Sequence, residues 1–455
     1  MAKRTQRRER RRLRAYKFFN HVLKATLGAF LRIRYNVHLE NHGIVKNLKP
    51  PYLLLPNHMS YWDPFILGAV VPDPVYFVAS DAHFRSPMLN FLLGMVGAIP
   101  KTKVMNDSET IRSILSVRRR NGVIGVFPEG RRTWDGTTMP LFYSIAKLAR
   151  MMKIPVVTVL FEGAFLSLPR WTRRRRRGEL TVKFQLTCSE ETAATSTPDQ
   201  IFSLISRDLT YNEYEFQRRK LIRFSGRRLA EKIEQVLYAC PNCDRFGTLF
   251  SREARLHCID CGYAVIYDEY GFLRPIQPFP AYYQTVRSWN VWQTEHLLAY
   301  LKDVASPSST DSWNHLNRPV FRKGRISLNT GYRSGRLKRH PPGTLFLHTD
   351  GLVYESSGGR REFFRLAEVN GANVQNNERL EFYSNRTLYS FQSVTRQWSS
   401  YSWVNAITIL QAIQSGGEGE LTTIDDVHAH HQQGRFGLPK AHPVAENADA
   451  AEPDL

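Results

Sequence analysis

Two polar segments, each placed directly after an apolar run, carry side chains suited to acid–base chemistry. The run 52–56 ends at Asn57 and His58, and Asp63 follows shortly after. A carboxylate can fix a histidine tautomer so that the other ring nitrogen is free to accept a proton, as a general base does. Five residues turn a helix about 500°, so the two side chains can meet only if His58 precedes the helix. The alternative is a capping box over 60–63, in which Asp63 serves the helix N-terminus alone.

The second segment follows the apolar run 123–127 and contains Glu129, Gly130, Arg131 and Arg132. Glycine allows close approach of the backbone, and the planar guanidinium of arginine suits phosphate oxygens. The alternative is a β-turn with a surface ion pair, which contributes little. Two more segments are candidates for the same site: 97–103, which ends at Lys103, and 154–157, which opens a buried apolar run. Together with the segments around His58 and Glu129 they make four candidate segments.

The elements around these segments indicate an α/β fold. Apolar runs at 52–55, 75–79, 123–127, 155–161 and 180–186 predict strands, and helical patterns at 87–96, 110–120 and 141–152 lie between them. Strands alternating with helices form a layered, largely buried sheet with flanking helices. Further along, the segments 344–348, 352–354, 379–383 and 387–391 predict short antiparallel strands, followed by a helix at 401–413 that closes this domain.

In their order and spacing, the four segments resemble the four sequence blocks of the 1-acyl-sn-glycerol-3-phosphate (lysophosphatidate) acyltransferases, over about residues 35–215. The resemblance implies that His58 deprotonates an acceptor hydroxyl and that Asp63 orients His58. The hydroxyl then attacks the thioester of an acyl-CoA or acyl-carrier protein, without a catalytic cofactor. The implied substrate-binding residues are Asn57, Lys103, Glu129, Gly130, Arg131 and Arg132.

The sequence departs from the family pattern at three points. Lys103 stands where the family usually has arginine, and a lysine holds phosphate as a point charge rather than through two bonds. Arg131 replaces the usual threonine, and the Lys-Gly pair that often follows is absent. These changes leave the base chemistry intact, and they leave open whether the acceptor is lysophosphatidate or another lysophospholipid.

Four of the five cysteines form two Cys-x-x-Cys pairs, at Cys240/Cys243 and Cys258/Cys261. Two such pairs can supply four thiolates to one tetrahedral Zn²⁺, as in a zinc ribbon. Four protein ligands close the site, so the expected role is structural; iron is the alternative metal. Cys188 is expected to be a buried residue. So few cysteines exclude a disulfide-built scaffold.

The formal net charge of +22 favours anionic partners such as a lipid surface or nucleic acid. A basic N-terminus precedes an apolar segment that is too interrupted for a signal peptide or a membrane span. This apolar segment indicates an amphipathic helix that lies on an anionic membrane surface. The alternative is a helix that packs on the rest of the protein and is preceded by a basic arm. The run 170–177 holds six arginines around Trp171. It predicts headgroup docking with Trp171 at the interface, against the alternatives of nucleic-acid binding or a solvated loop.

These observations divide the chain into seven parts. They are a basic arm and interfacial amphipathic helix (1–35), an acyltransferase domain (36–215), a helical linker (216–237), a zinc ribbon (238–272), a linker or helical region (273–323), a small β-rich domain for which a pleckstrin-homology-like fold is one candidate (324–414), and a disordered acidic tail (415–455). The expected protein is an acyltransferase of phospholipid synthesis, peripheral on the cytoplasmic face of a membrane. The alternative is a basic zinc-ribbon module that binds nucleic acid or protein beside a degenerate acyltransferase-like domain; the sequence carries no aromatic-interleaved nucleic-acid motif.

Overall fold

The computed structural model describes residues 26, 29–85, 87–95, 97–101, 108–306, 319–332, 335–395 and 398–415. Lys103, nearly all of the predicted basic arm and the predicted acidic tail beyond 415 lie outside these residues. Among the described helices, none combines the length and the hydropathy needed to cross a membrane.

The first part of the chain forms a seven-stranded mixed sheet in the order β1-β7-β6-β2-β5-β3-β4. Its strands are β1 (Val37–Glu40), β2 (Leu53–Pro56), β3 (Val75–Ser80), β4 (Ile99–Lys101), β5 (Val123–Gly125), β6 (Val156–Glu162) and β7 (Leu180–Cys188). All neighbouring pairs are parallel except β6 and β7. The five predicted strands are confirmed, whereas β1 and β4 at the two edges were not predicted.

Strand β2 lies in the middle of this sheet because its residues are apolar on both faces. Leu53 and Leu55 point into one buried cluster and Leu54 into the other, as the two-residue period of a strand requires. A strand covered on both sides is a continuous hydrophobic run, which is typical of parallel α/β sheets. The central position of β2 places its C-terminal end, where Asn57 and His58 begin, at the middle of one sheet edge.

Ten helices accompany this sheet among the described residues. They are α1 (Ala29–Tyr35), α2 (Gly43–Asn47), α3 (Asp63–Val70), α4 (Pro87–Met95), α5 (Ser108–Arg119), α6 (Ser144–Met152), α7 (Ala164–Ser167), α8 (Glu190–Thr195), α9 (Pro198–Leu209) and α10 (Glu213–Lys220), and a 3₁₀ turn spans Asp81–Arg85. Thr197 and Gln200 form a capping box at the start of α9. The linker predicted to be helical over 216–237 is helical only to Lys220 and in a 3₁₀ turn at Ile233–Gln235.

The cysteine-containing segment folds as a four-stranded antiparallel sheet in the order β11-β10-β9-β8. The strands are β8 (Leu249–Arg252), β9 (Arg255–Cys258), β10 (Ala264–Tyr267) and β11 (Leu273–Pro275). A twenty-residue helix, α11 (Val286–Ala305), follows, and the centre of its Trp289 ring lies 6.0 Å from that of the ring of Tyr263, the residue before β10. The indole N–H of Trp289 in α11 donates to the carbonyl oxygen of Ala239 at 2.9 Å, beside the first cysteine pair.

The C-terminal region forms an antiparallel sheet in the order β16-β15-β14-β12-β19-β18-β17, with β13 paired to β12. The strands are β12 (Phe321–Gly331), β13 (Lys338–Arg339), β14 (Gly343–Leu347), β15 (Gly351–Ser356), β16 (Arg361–Arg365), β17 (Asn370–Gln375), β18 (Arg379–Ser384) and β19 (Thr387–Ser393). A 3₁₀ turn at Leu366–Glu368 separates β16 from β17, and helix α12 (Ser400–Gln414) follows the sheet. The antiparallel strands and the following helix are confirmed; likeness to a pleckstrin-homology domain stays a prediction.

Candidate active site

His58 and Asp63 meet at the C-terminal end of β2. His58 lies in the loop between β2 and α3, and Asp63 is the first residue of α3. The imidazole Nδ1 lies 3.0 Å from Asp63 Oδ2. The two side chains therefore satisfy the condition set by their spacing, with the histidine ahead of the helix and the carboxylate inside its first turn.

Asp63 also caps the turn that carries His58. Its Oδ2 accepts hydrogen bonds from the backbone N–H groups of Met59 and Ser60, each at 2.8 Å. The capping alternative, in which Asp63 serves the helix N-terminus alone, is wrong, because the same oxygen also contacts His58 Nδ1. In addition, the N–H of Trp62, not that of Asp63, donates to Ser60 Oγ. Because three donors converge on one oxygen, the imidazole proton is held on Nδ1 and Nε2 carries the lone pair that a base needs.

The surroundings keep the imidazole neutral. Burial lowers the pKa of His58 well below its usual range, and the nearby charges of Arg132 and Arg170 lower it further. Burial raises the pKa of Asp63, and the N–H groups of Ser60 and Met59 oppose that rise. The Asp63 side chain is fully buried, whereas 19% of the His58 side chain is exposed, which leaves the histidine as the accessible member of the pair.

Glu129 holds the loop between β2 and α3, which carries His58. Its Oε1 accepts the backbone N–H of His58 at 2.6 Å, and its Oε2 accepts that of Met139 at 2.8 Å. The residue is 1% exposed; burial raises its pKa, and the N–H groups of Met139 and His58, which stabilise the ionised carboxylate, lower it. Both oxygens are occupied by the protein, and a carboxylate repels phosphate. These contacts give Glu129 a positioning role, and the substrate contact predicted for it stays a prediction.

The Asn57 side chain is also hydrogen-bonded within the protein. Its side-chain amide donates to the carbonyl oxygen of Phe161 at 3.3 Å and accepts the N–H of the same residue at 2.7 Å. The residue is fully buried, so it joins the end of β2 to β6 instead of reaching the cleft. The substrate contact predicted for Asn57 stays a prediction; what the structure gives this side chain is the link between β2 and β6.

Gly130 turns the second segment sharply above Phe142. Its φ is +65°, and a Cβ at this position would lie 2.4 Å from Phe142 Cε2. Only glycine meets both requirements without strain. Two residues further along, the N–H of Thr133 donates to the His58 carbonyl oxygen at 3.0 Å, which ties the two loops together.

The two arginines of this segment differ in their contacts. Arg132 Nη2 donates to Asn377 Oδ1 at 2.9 Å, and its guanidinium lies 5.9 Å from the centre of the Tyr61 ring. Within the described residues, Nε and Nη2 of Arg131 are buried and have no hydrogen-bond partner. Burial lowers the pKa of Arg131 to about 10, which still leaves it charged at neutral pH. Arg131 therefore offers N–H groups to an anion.

The arginine run 170–177 is not the exposed loop that its composition predicted. Trp171 is 1% exposed and packs edge-to-face against Phe165, so the prediction that it lies at a membrane interface is wrong. Arg170 and Arg176 are buried, and Arg176 donates to the Leu229 carbonyl oxygen at 2.6 Å. These arginines join parts of the chain to one another, while 173, 174 and 177 remain exposed.

The four cysteines of the two pairs come together. All four Sγ atoms lie within 4.8 Å of one another, with Cys240 to Cys261 at 3.7 Å and Cys243 to Cys258 at 3.8 Å. Thiolates about 2.3 Å from a tetrahedral ion lie about 3.8 Å apart, so this spacing fits a bound metal. Cys188 is buried, as predicted.

The two cysteine knuckles have the same backbone geometry. The N–H of Asp244 donates to the Cys240 carbonyl oxygen, and that of Gly262 donates to the Cys258 carbonyl oxygen. Both donor residues have positive φ, at +56° and +77°. This repetition supports one metal held between two equivalent turns.

A mixed α/β sheet with a histidine–carboxylate pair at the end of its central strand, beside an arginine-bearing turn, defines an acyltransferase-like domain. Comparison with known proteins agrees. Residues 35–162 match the family model described as Acyltransferase. This match supports assignment of that region to the acyltransferase family.

The curated relatives match only part of this chain. The 1-acyl-sn-glycerol-3-phosphate acyltransferase of Saccharomyces cerevisiae is 29% identical over 147 residues, which are 31% of this chain and 46% of that protein. The protein of the same name from Limnanthes alba is 25% identical over 179 residues, 38% of this chain and 61% of its own length. The chain therefore spans between about half and three fifths of these two relatives. The crystal structure of the 1-acyl-sn-glycerophosphate acyltransferase from Thermotoga maritima matches with a TM-score of 0.40 and 17% identity, over 47% of this chain and 85% of that one.

Proposed function

We propose that this protein transfers a fatty acyl group from an acyl thioester to the free hydroxyl of a lysophospholipid, most simply 1-acylglycerol-3-phosphate. The observation that carries the proposal is the 3.0 Å contact between His58 Nδ1 and Asp63 Oδ2 at the end of the central strand. The family match and the names of the relatives support the reaction class and the acceptor. The donor is acyl-CoA or an acyl-carrier protein.

The reaction needs one proton transfer in each direction. His58 Nε2 accepts the proton of the acceptor hydroxyl as its oxygen attacks the thioester carbonyl carbon. The carbon–sulfur bond then breaks, and the leaving thiolate takes the proton back from the imidazolium. Asp63 stabilises the imidazolium between the two transfers through the Nδ1 contact. A positioned general base of this kind typically contributes ~10²–10⁴-fold in rate.

Arg131 and Arg132 are the groups that would bind the acceptor phosphate. Arg131 has buried N–H groups without a protein partner, and Arg132 lies close enough to His58 to lower its pKa. Two guanidinium groups beside the base place a phosphate next to the hydroxyl that reacts. Lys103, which lies outside the described residues, remains a candidate from the resemblance alone.

Peripheral attachment to the cytoplasmic face of a membrane is part of the proposal. Two of the described helices that accompany the seven-stranded sheet expose large apolar side chains. Phe30 and Ile33 of α1 are 55% and 84% exposed, and Met88 and Phe91 of α4 are 73% and 65% exposed. Apolar side chains of this kind on a protein of high positive charge suit an anionic lipid surface, from which a lysolipid would be taken.

A structural zinc ion in the four-cysteine site is the other element of the proposal. Helix α11 packs on this site and also reaches the loop that follows Arg132. Arg287 and Asn290 of α11 donate to Asp135 Oδ2 at 3.2 and 2.8 Å. The metal would thus stabilise the domain that supports the active-site loop, with no part in the chemistry.

The test is an acceptor panel presented in anionic vesicles. Lysophosphatidate, other lysophospholipids and monoacylglycerol are each offered with acyl-CoA or acyl-carrier protein, and free thiol release is measured. Transfer to lysophosphatidate above the other acceptors supports the proposal. Absence of transfer to every lysophospholipid with both donors would refute it.

A further inference from the structure

We infer that the β17–β18 hairpin of the C-terminal sheet is part of the acceptor site, and that Asn377 at its tip positions Arg132 for the acceptor phosphate. This inference rests on the proposed function. It assigns the C-terminal sheet a role in acceptor binding, although that sheet lies outside the region matched by the acyltransferase family.

The hairpin contacts the arginine-bearing turn directly. Asn377 Oδ1 accepts a hydrogen bond from Arg132 Nη2 at 2.9 Å. Arg170 also connects the hairpin to the arginine-bearing turn. It donates to the Arg132 carbonyl oxygen at 2.6 Å and to the Val374 carbonyl oxygen in β17 at 3.1 Å. Both the backbone and the side chain of Arg132 are therefore fixed relative to the hairpin.

Aromatic packing continues the contact into α12. The Arg170 guanidinium lies 4.0 Å from the centre of the Trp134 ring, and Trp134 packs against Tyr401 of α12 with ring centroids 4.9 Å apart. Trp134 follows Arg132 by two residues, so the same turn is held at both of its ends. Since Trp134 and Arg170 are buried, these contacts are screened from water.

A buried ion pair holds the hairpin to the other side of the cleft. Arg85, which follows β3, donates through Nη1 to both carboxylate oxygens of Glu381 in β18, at 3.1 and 3.0 Å. Glu381 is 2% exposed and also accepts a hydrogen bond from Ser390 at 2.9 Å. A charge pair with this many contacts fixes geometry as well as energy. The hairpin is thus anchored to the sheet edge that carries His58 at two separate points.

The backbone of the tip suits this function. Asn376 and Asn377 have φ of +50° and +66°, a conformation that asparagine adopts more readily than most residues. The side chain of Asn377 is half-buried under Arg132, whereas Asn376 is exposed. The turn therefore presents a single amide oxygen to the Arg132 guanidinium. The other N–H groups of Arg132 are left for a ligand.

Arg132 has five N–H donors, and Asn377 occupies one of them. Holding the planar group in one orientation lowers the conformational entropy lost when a phosphate binds. A hydrogen bond to a charged group contributes enough that its loss is expected to weaken binding about tenfold. We expect the affinity for the acceptor to fall and the affinity for the thioester donor to stay unchanged.

The test compares Asn377→Gly with Asn385→Gly in the full chain. Glycine accepts both left-handed backbones. Asn385 has φ of +47° in the exposed β18–β19 turn, at the opposite end of β18 from Asn377. Initial rates give kcat and KM for lysophosphatidate and for acyl-CoA. Asn377→Gly should raise the acceptor KM about tenfold with the donor KM within twofold of wild type. Asn385→Gly should leave both unchanged.

A second variant, Asn377→Asp, keeps the backbone and the acceptor atom but adds a negative charge beside the phosphate site. It should also raise the acceptor KM, although its contact with Arg132 is strengthened. A wild-type acceptor KM in both Asn377 variants would overturn the inference, and so would an equal loss toward acceptor and donor. Wild-type protein without transfer to any lysophospholipid would instead defeat the proposed function.

Discussion

Replacement of Glu129 by glutamine separates a positioning role from a substrate-binding one. The Glu129 carboxylate accepts two backbone N–H groups, one on each oxygen, from His58 and Met139. A glutamine side chain has only one acceptor oxygen. Whichever way the amide turns, its NH₂ group faces one of the two N–H donors, and that donor is left buried and unsatisfied.

The cost of Glu129→Gln follows from this geometry. An unsatisfied buried donor costs about 1–3 kcal/mol, and the midpoint of about 2 kcal/mol corresponds to about a 30-fold lower kcat if it falls on the position of His58. The acceptor KM should stay within about threefold of wild type, since both oxygens of this carboxylate are bonded to backbone N–H groups. The matched control is Glu253→Gln, because Glu253 is an exposed carboxylate paired with Arg228 and its change should cost little.

The assay for this pair of variants is a rate measurement at saturating acyl-CoA over a range of lysophosphatidate concentrations. Thermal unfolding is followed in parallel, so that a general loss of folded protein is distinguished from a local displacement of His58. A large rise in the acceptor KM with kcat unchanged would refute the positioning role and restore the substrate contact. Wild-type kinetics in Glu129→Gln would refute both.

Three further predictions concern the base and the metal. Asp63→Asn should lower kcat by ~10²-fold or more, because the tautomer of His58 is no longer fixed; a loss under threefold would count against the pair. The acidic limb of kcat/KM should lie below pH 6.5, since the pKa of His58 is lowered by burial and the imidazole must be neutral to act; a limb above pH 7 would contradict this. Cys240→Ser with Cys258→Ser should remove about one zinc per chain and lower the unfolding temperature, and unchanged metal content would rule out the site.

The sequence predicted those features that depend on local pattern. Apolar runs placed β2, β5 and β6, and the spacing of His58 and Asp63 required a loop ahead of the helix, which the structure contains. The two Cys-x-x-Cys pairs predicted a four-thiolate cluster, because each knuckle is built from adjacent residues. The edge strands β1 and β4 escaped prediction because they are short and have few residues buried.

The functions of several side chains depend on partners far along the chain, and the sequence alone does not identify those partners. Asn57 binds the backbone of Phe161, and Arg132 binds Asn377 from a separate sheet. Trp171 sits among arginines, so its composition suggested a surface loop, yet tertiary packing buries it against Phe165. For the same reason, the sequence alone does not show that the Glu129 carboxylate accepts the backbone N–H groups of His58 and Met139.

The central claim is that His58 is the base in an acyl transfer to a lysolipid hydroxyl. It is tested most directly by measuring thiol release from acyl-CoA with lysophosphatidate for wild type and His58→Ala, after confirming that both unfold at the same temperature. The account predicts transfer by the wild type and a loss of at least ~10²-fold in kcat for the variant, with the acceptor still bound. Equal rates in the two proteins would contradict it.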